Sequence, residues 1–134
     1  MITTYLDAIT VGDTHVSRAR TITETDVVTF AMFTGDWHPI HTDVTYAEQD
    51  AAFGARIAHG ALVISVALGL VTFWPPAMKA LYGIDTLRFV APTRISDTLH
   101  VDTEVMAVDD RGDGTGVVTS SFATSATRTC WWRR

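Results

Sequence analysis

Residues Ala61–Trp74 read ALVISVALGLVTFW, with only Ser65 and Thr72 polar. The run is too short to span a bilayer, which needs about 20 apolar residues. A helix that is apolar nearly all round is one enclosed by the rest of its domain. Pro75 and Pro76 stop it, because proline lacks the N–H that would continue the ladder. A buried helix over 61–74 is therefore expected at the centre of the fold.

Beyond Pro76 the chain reads as strands. Ile84–Val90 is one, closed by Pro92. Leu99, Val101, Thr103, Val105 and Ala107 alternate with His100, Asp102, Glu104 and Met106, the two-residue period of a half-buried strand. Asp109–Gly114, DDRGDG, is turn chemistry, and Gly116–Thr124 pairs back as a hairpin. Before the apolar run, His15–Ile22 can form a strand. Thr23 is an N-cap with Asp26 three residues on, and Val27, Phe30, Ala31 and Thr34 share one helical face. Gly35 ends that helix. Asp43 caps a short helix through Tyr46, Ala47 and Ala51, broken at Phe53 and Gly54. The layout is α+β, with helices segregated from an antiparallel sheet. No internal repeat or linker divides residues 1–134, so one domain is expected.

Composition narrows the function. The chain has 134 residues, a net charge of −5 and one cysteine, Cys130. Lys and Arg are scattered, which argues against nucleic acid and against a polybasic membrane site. No internal disulfide can form. The opening residues MITTYLDAITVGD lack the basic start and apolar run of a signal peptide, so a cytoplasmic setting is expected.

Between the first two helices lies GDWHPIHTD, Gly35–Asp43. Asp36, His38, His41 and Asp43 crowd around Pro39, which prevents helix there and biases His38 towards an extended backbone. Nothing else in the chain concentrates so many proton-carrying groups.

The run Phe30–His41, with Ala47 six beyond, resembles the signature of the MaoC-like (R)-specific enoyl-CoA hydratases. Their pattern is an aromatic, a small residue, Gly-Asp-x-Asn-Pro-aliphatic-His, then alanine or serine. Ala58-His59-Gly60 at the head of the apolar helix also matches. So does Leu87-Arg88-Phe89 through Pro92 to Ser96-Asp97, which is similar to a strand and a "Pro…Gly-Asp" turn. The resemblance covers roughly Thr21–Val108. Two features depart from it. His38 stands where asparagine is usual, so a second titratable group either shifts the pH profile or replaces an amide hydrogen bond. Ser125–Arg134 does not read like the family's final strand.

The resemblance implies a hot-dog fold, a curved antiparallel sheet wrapped around the central helix. It also implies a homodimer with each active site at the subunit boundary. The implied reaction adds water to a trans-2-enoyl thioester to give the (R)-3-hydroxyacyl thioester, or runs in reverse. No cofactor is implied; coenzyme A or acyl carrier protein is part of the substrate. The catalytic pair is Asp36 and His41. An imidazole titrates near neutrality and suits proton removal from water. As an acid, Asp36 would need apolar burial to keep its proton. The Gly60 N–H at a helix start can face the thioester oxygen. His59 and Trp37 are expected at the oxyanion and substrate site, with His38 adjacent. Asp43 reads as a cap and Ser65 as a tolerated helix hydroxyl. Arg56, Arg88 and Arg94 can meet coenzyme A phosphates or simply be solvated.

Three rivals carry less. Asp36, His38, His41 and Asp43 offer metal donors, and His-x-x-His is a ligand spacing, but Pro39 lies between the histidines and no further cluster completes a site. No metal is expected. A hot-dog thioesterase would carry an acid on the central helix, and 61–74 has none. A non-catalytic acyl-thioester-binding module would not require the Asp36/His41 pair.

Overall fold

The computed structural model describes residues 4–71 and 74–127. In chain order, after a turn of 3-10 helix at Leu6–Ala8, come β1 (Thr14–Val16), β2 (Arg20–Thr21), α1 (Glu24–Thr34), α2 (Pro39–Thr42), α3 (Val44–Gln49), α4 (Gly60–Leu70), β3 (Thr98–Asp110) and β4 (Gly116–Thr127). The long strand β3 organises the antiparallel sheet. It pairs with β1 and β2 along one edge and with β4 along the other.

The strand expected over His15–Ile22 is split in two. At Ser17 the backbone N–H still donates to the Val101 carbonyl at 2.8 Å. The Val101 N–H goes instead to the Ser17 hydroxyl oxygen at 2.9 Å. A side chain thus replaces a carbonyl in the ladder, and regular pairing resumes at Arg20. In β3 the expected alternation holds for the buried Leu99, Val101 and Val105. A register shift between Val105 and Ala107 inserts an extra residue and turns Ala107 outward. Such a bulge locally offsets the two-residue period.

α1 forms as read. Thr23 and Asp26 exchange a full capping box, with the Asp26 carboxylate accepting the Thr23 N–H at 2.8 Å. Gly35 ends the helix at φ +77°. Val27 and Ala31 face inward, and Phe30 packs on the same core. α4 is shorter than expected. It ends at Leu70, Val71 is its C-cap, and Trp74 lies outside it; Thr72 and Phe73 lie outside the described residues. The helix packs against β3 with Leu62, Val63, Val66, Ala67 and Leu70, joined by Ile22, Leu99 and Val101. It is not enclosed on every side. Ala61, Ser65 and Gly69 are spaced four residues apart, and Ala61 and Ser65 are exposed. A stripe of small residues therefore faces outward, and the sheet wraps the helix only in part.

Three more expectations are corrected. Pro39 does not exclude helix: it opens the single turn α2 as its first residue, where its missing N–H costs nothing. The α3 helix ends at Gln49, leaving Ala51 in a turn. The strand expected over Ile84–Val90 does not form among the described residues. Leu87, Phe89 and Val90 there are 50%, 57% and 93% exposed. A strand needs a neighbour for its N–H and C=O groups, and the pairing closest to this segment is one bridge between Ile57 and Arg94. The hairpin strand expected over Gly116–Thr124 runs on to Thr127, so Ser125–Thr127 of the terminus that departs from the family pattern pair with β3; its remainder, 128–134, lies outside the described residues. Among the described residues, β4 is the last strand. Among them, no helix is long and apolar enough to cross a membrane.

The turn before β3 carries backbone strain. Ser96 sits at φ +77°, the left-handed region that disfavours a Cβ by about 1–2 kcal/mol. It is held there because its N–H donates to the Ile22 carbonyl at 2.8 Å, while the Ile22 N–H donates to the Asp97 carbonyl at 2.8 Å. The buried Asp97 carboxylate takes the Arg94 N–H at 2.8 Å. Ser96→Gly therefore raises stability by about 1 kcal/mol, read as a higher denaturant midpoint at unchanged slope.

Candidate active site

Two segments distant in sequence make the site. The first is the loop and turn from Asp36 to Thr42, which leaves α1 through Gly35. The second is Ile57–Gly60, which runs into α4. Backbone bonds hold the second segment in place: the Ile57 N–H donates to the Ile40 carbonyl at 3.3 Å, and the Ala58 N–H to the Thr93 carbonyl at 2.8 Å. Ile40 is buried beneath the turn.

His41 is tied to the second segment. Its Nδ1 lies 2.8 Å from the Ile57 carbonyl oxygen. A carbonyl only accepts, so Nδ1 carries the hydrogen and Nε2 holds the lone pair. Ring burial is the largest influence on its protonation and holds His41 below the ordinary imidazole value. The Ile57 carbonyl and Asp36 act the opposite way, whereas His59 and His38 add to the lowering.

Asp36 is exposed, so the apolar burial expected for an acid is not supplied by the described residues. Its carboxylate accepts the His38 N–H at 3.2 Å. His38 takes the place of an amide: its Nδ1 accepts the Ile40 N–H at 3.2 Å and caps α2. Its ring stands edge-on to His41 and to Tyr46. Trp37 is 52% exposed beside these groups.

His59, expected among the substrate-binding residues, is only 2% exposed. Its Nε2 lies 3.0 Å from the Asp36 carbonyl oxygen. Its ring stacks on His41 with centroids 3.9 Å apart at 29°, and Phe30 packs on it at 5.1 Å. Gly60 opens α4, so its N–H lies ahead of the helical ladder. A Cβ at Gly60 would come within 2.9 Å of two Phe89 ring carbons, so the helix head sits directly beneath that ring. Arg56 forms a two-pronged ion pair with Glu24, and the Arg94 guanidinium donates to the Phe53 carbonyl at 2.7 Å.

Asp36, His41 and His59 each bring one donor atom within 4.8 Å of the other two. The third member, absent from the sequence-based metal set, comes from the distant segment. Yet His59 engages Nε2 with the Asp36 carbonyl, and its Nδ1 is buried without a hydrogen-bond partner among the described residues. With Nε2–H so engaged, only Nδ1 holds a lone pair, and that atom is buried. In the set read from sequence, His38 and Asp43 are both helix caps. The arrangement instead suits water. One water hydrogen-bonded at about 2.8 Å to each partner can span atoms 4.8 Å apart, the limit within which Asp36 and His41 each bring one.

Sequence reasoning missed Ile57 and Phe89. Ile57 acts through its carbonyl, which no side-chain pattern reveals. Phe89 reaches Gly60 only through the tertiary path of its segment.

The antiparallel sheet laid over α4 is the α+β hot-dog fold, shared with solved MaoC-like proteins. A family model described as the MaoC like domain matches residues 9–127, and the chain belongs to that family. It is 38% identical over 101 residues to a 3-hydroxybutyryl-CoA dehydratase of Methylorubrum extorquens, covering 75% of this chain and 63% of that one. It is 36% identical over 99 residues to an (R)-specific enoyl-CoA hydratase of Rhodospirillum rubrum, covering 74% and 67%. The chain thus spans only part of the length of these curated relatives. A solved MaoC-like dehydratase from Rhodospirillum rubrum superposes with a TM-score of 0.78 at 28% identity, covering 93% of this chain and 87% of that one.

The lowered proton affinity of His41 has a sign that can be checked. The folded chain binds this proton less tightly than the unfolded chain. Its contribution to stability is therefore present above the ordinary imidazole range and is lost as pH falls through it. An NMR titration of the His41 ring should give a midpoint below about 6.5.

Proposed function

We propose that the chain hydrates trans-2-enoyl thioesters to (R)-3-hydroxyacyl thioesters and catalyses the reverse dehydration. The observation that carries this is the His41 Nδ1–H bond to the Ile57 carbonyl at 2.8 Å, which leaves the lone pair on Nε2 of a ring clustered with Asp36. His41 Nε2 takes a proton as the water oxygen bonds to Cβ. The alkene electrons move towards the thioester oxygen, whose charge the Gly60 N–H stabilises; a donor so placed typically contributes about 10²–10³ in rate. The proton that His41 has taken then passes to Cα by way of Asp36, which completes the addition and returns both groups to their starting state. Both groups hold one water, so it adds to one face. The names of the relatives support the reaction in both directions.

The substrate is the partner this reading requires, with its carrier as part of the molecule and no separate cofactor. We also read the protein as a cytoplasmic homodimer. The exposed apolar Leu81, Tyr82, Ile84, Leu87, Phe89 and Val90 support a second copy covering this face, since contiguous apolar surface marks an interface. Light scattering after size exclusion should give twice the chain mass; a monomer at micromolar concentration would remove the dimer.

The activity test is loss of enoyl-thioester absorbance with crotonyl-CoA. Asp36→Asn and His41→Ala should each lower turnover by about 10²–10⁴-fold with circular dichroism unchanged. A variant that keeps near-wild-type turnover takes that residue out of the mechanism.

A further inference from the structure

The mechanism uses Asp36, His41 and Gly60 and leaves a buried imidazole unassigned. His59 is 2% exposed, a rare burial for histidine unless it is held by specific contacts. One contact is to the Asp36 carbonyl at 3.0 Å through Nε2. That carbonyl accepts only, so Nε2 carries the hydrogen. Nδ1 then holds a lone pair, and it has no partner among the described residues. One side of the ring bears the His41 ring at 3.9 Å, and Phe30 from α1 packs against it as well.

We propose that His59 is a positioning residue for the hydration reaction, a flat ring that seats the His41 imidazole by stacking and anchors the Asp36 backbone by hydrogen bonding. This rests on the hydratase reading above. One side chain thereby couples the two members of the pair, so neither moves without the other. Its burial rules out contact with substrate in this arrangement. Displacement of a reacting group by about 1 Å can cost on the order of 10²-fold in rate, which sets the expected effect.

The charged and titratable groups facing His41 are Asp36 and His38 from the same loop and His59 from the second segment. Tyr46 on α3 faces His38, and Phe30 is not titratable. Replacing His59 therefore changes one of three such influences and also opens the ring of His41 to water.

The test uses the full chain with three substitutions. His59→Ala removes both contacts, His59→Gln keeps a donor for the Asp36 carbonyl, and His59→Phe keeps a flat ring under His41. Three readouts are taken: kcat and KM with crotonyl-CoA, the NMR titration midpoint of His41, and thermal melting. In His59→Ala, kcat should fall about 10²-fold at nearly constant KM, and the His41 midpoint should rise. His59→Phe should keep the low midpoint yet lose part of kcat, whereas His59→Gln should show the raised midpoint. Folded variants with unchanged kcat and midpoint overturn the proposal. So does a change confined to KM, which would mean substrate contact, or failure of all three to fold, which would mean a purely structural histidine. Should the wild type itself show no turnover, the hydratase reading fails. The midpoints then still decide whether His59 seats His41.

Discussion

Ile57 joins what the chain keeps far apart. Its carbonyl takes the His41 Nδ1–H and its N–H donates to the Ile40 carbonyl. Through these bonds the turn α2 is fastened to the segment that begins α4. Every property of the site depends on that junction. It selects the His41 tautomer, brings His59 under the imidazole, and sets the head of α4 beside Asp36. The junction is in turn held by Ala58 on Thr93 and by the Ile57–Arg94 bridge. Backbone groups make these bonds, so residue 57 places the His41 ring without supplying any chemistry of its own.

The parts legible in the sequence are those whose partners lie within a few residues. Thr23 with Asp26, Gly35 after α1, and Asp43 before α3 are all local caps, and each side chain type announces its geometry. The long alternating run Leu99–Val105 was legible because β3 is central and buried on one face. The motif around Asp36 and His41 was legible as a family likeness. What escaped depends on distant partners. The bulge after Val105, the hydroxyl of Ser17 in the ladder and the early end of α4 reflect how neighbours fit. Ile84–Val90 has the composition of a strand but no partner to pair with among the described residues, and composition alone does not make a ladder.

The burial pattern divides the site into a dry side and a wet side. His59 and Ile40 are sealed, His41 is half-buried, and Asp36 and Trp37 face outward. The gradient runs from His59 through His41 to Asp36. Burial lowers the proton affinity of His41 on the dry side, while Asp36 stays open to the surroundings. The exposed Phe89 ring stands over the head of α4.

The cap on α2 has a property that an amide would not give it. An amide there could only close the turn. His38 accepts the Ile40 N–H through a ring nitrogen, and the flat ring that carries it stands edge-on to His41 and to Tyr46. One side chain thus fastens the start of the turn and braces the ring at its far end, so that fixing the backbone and fixing the imidazole are a single act of packing.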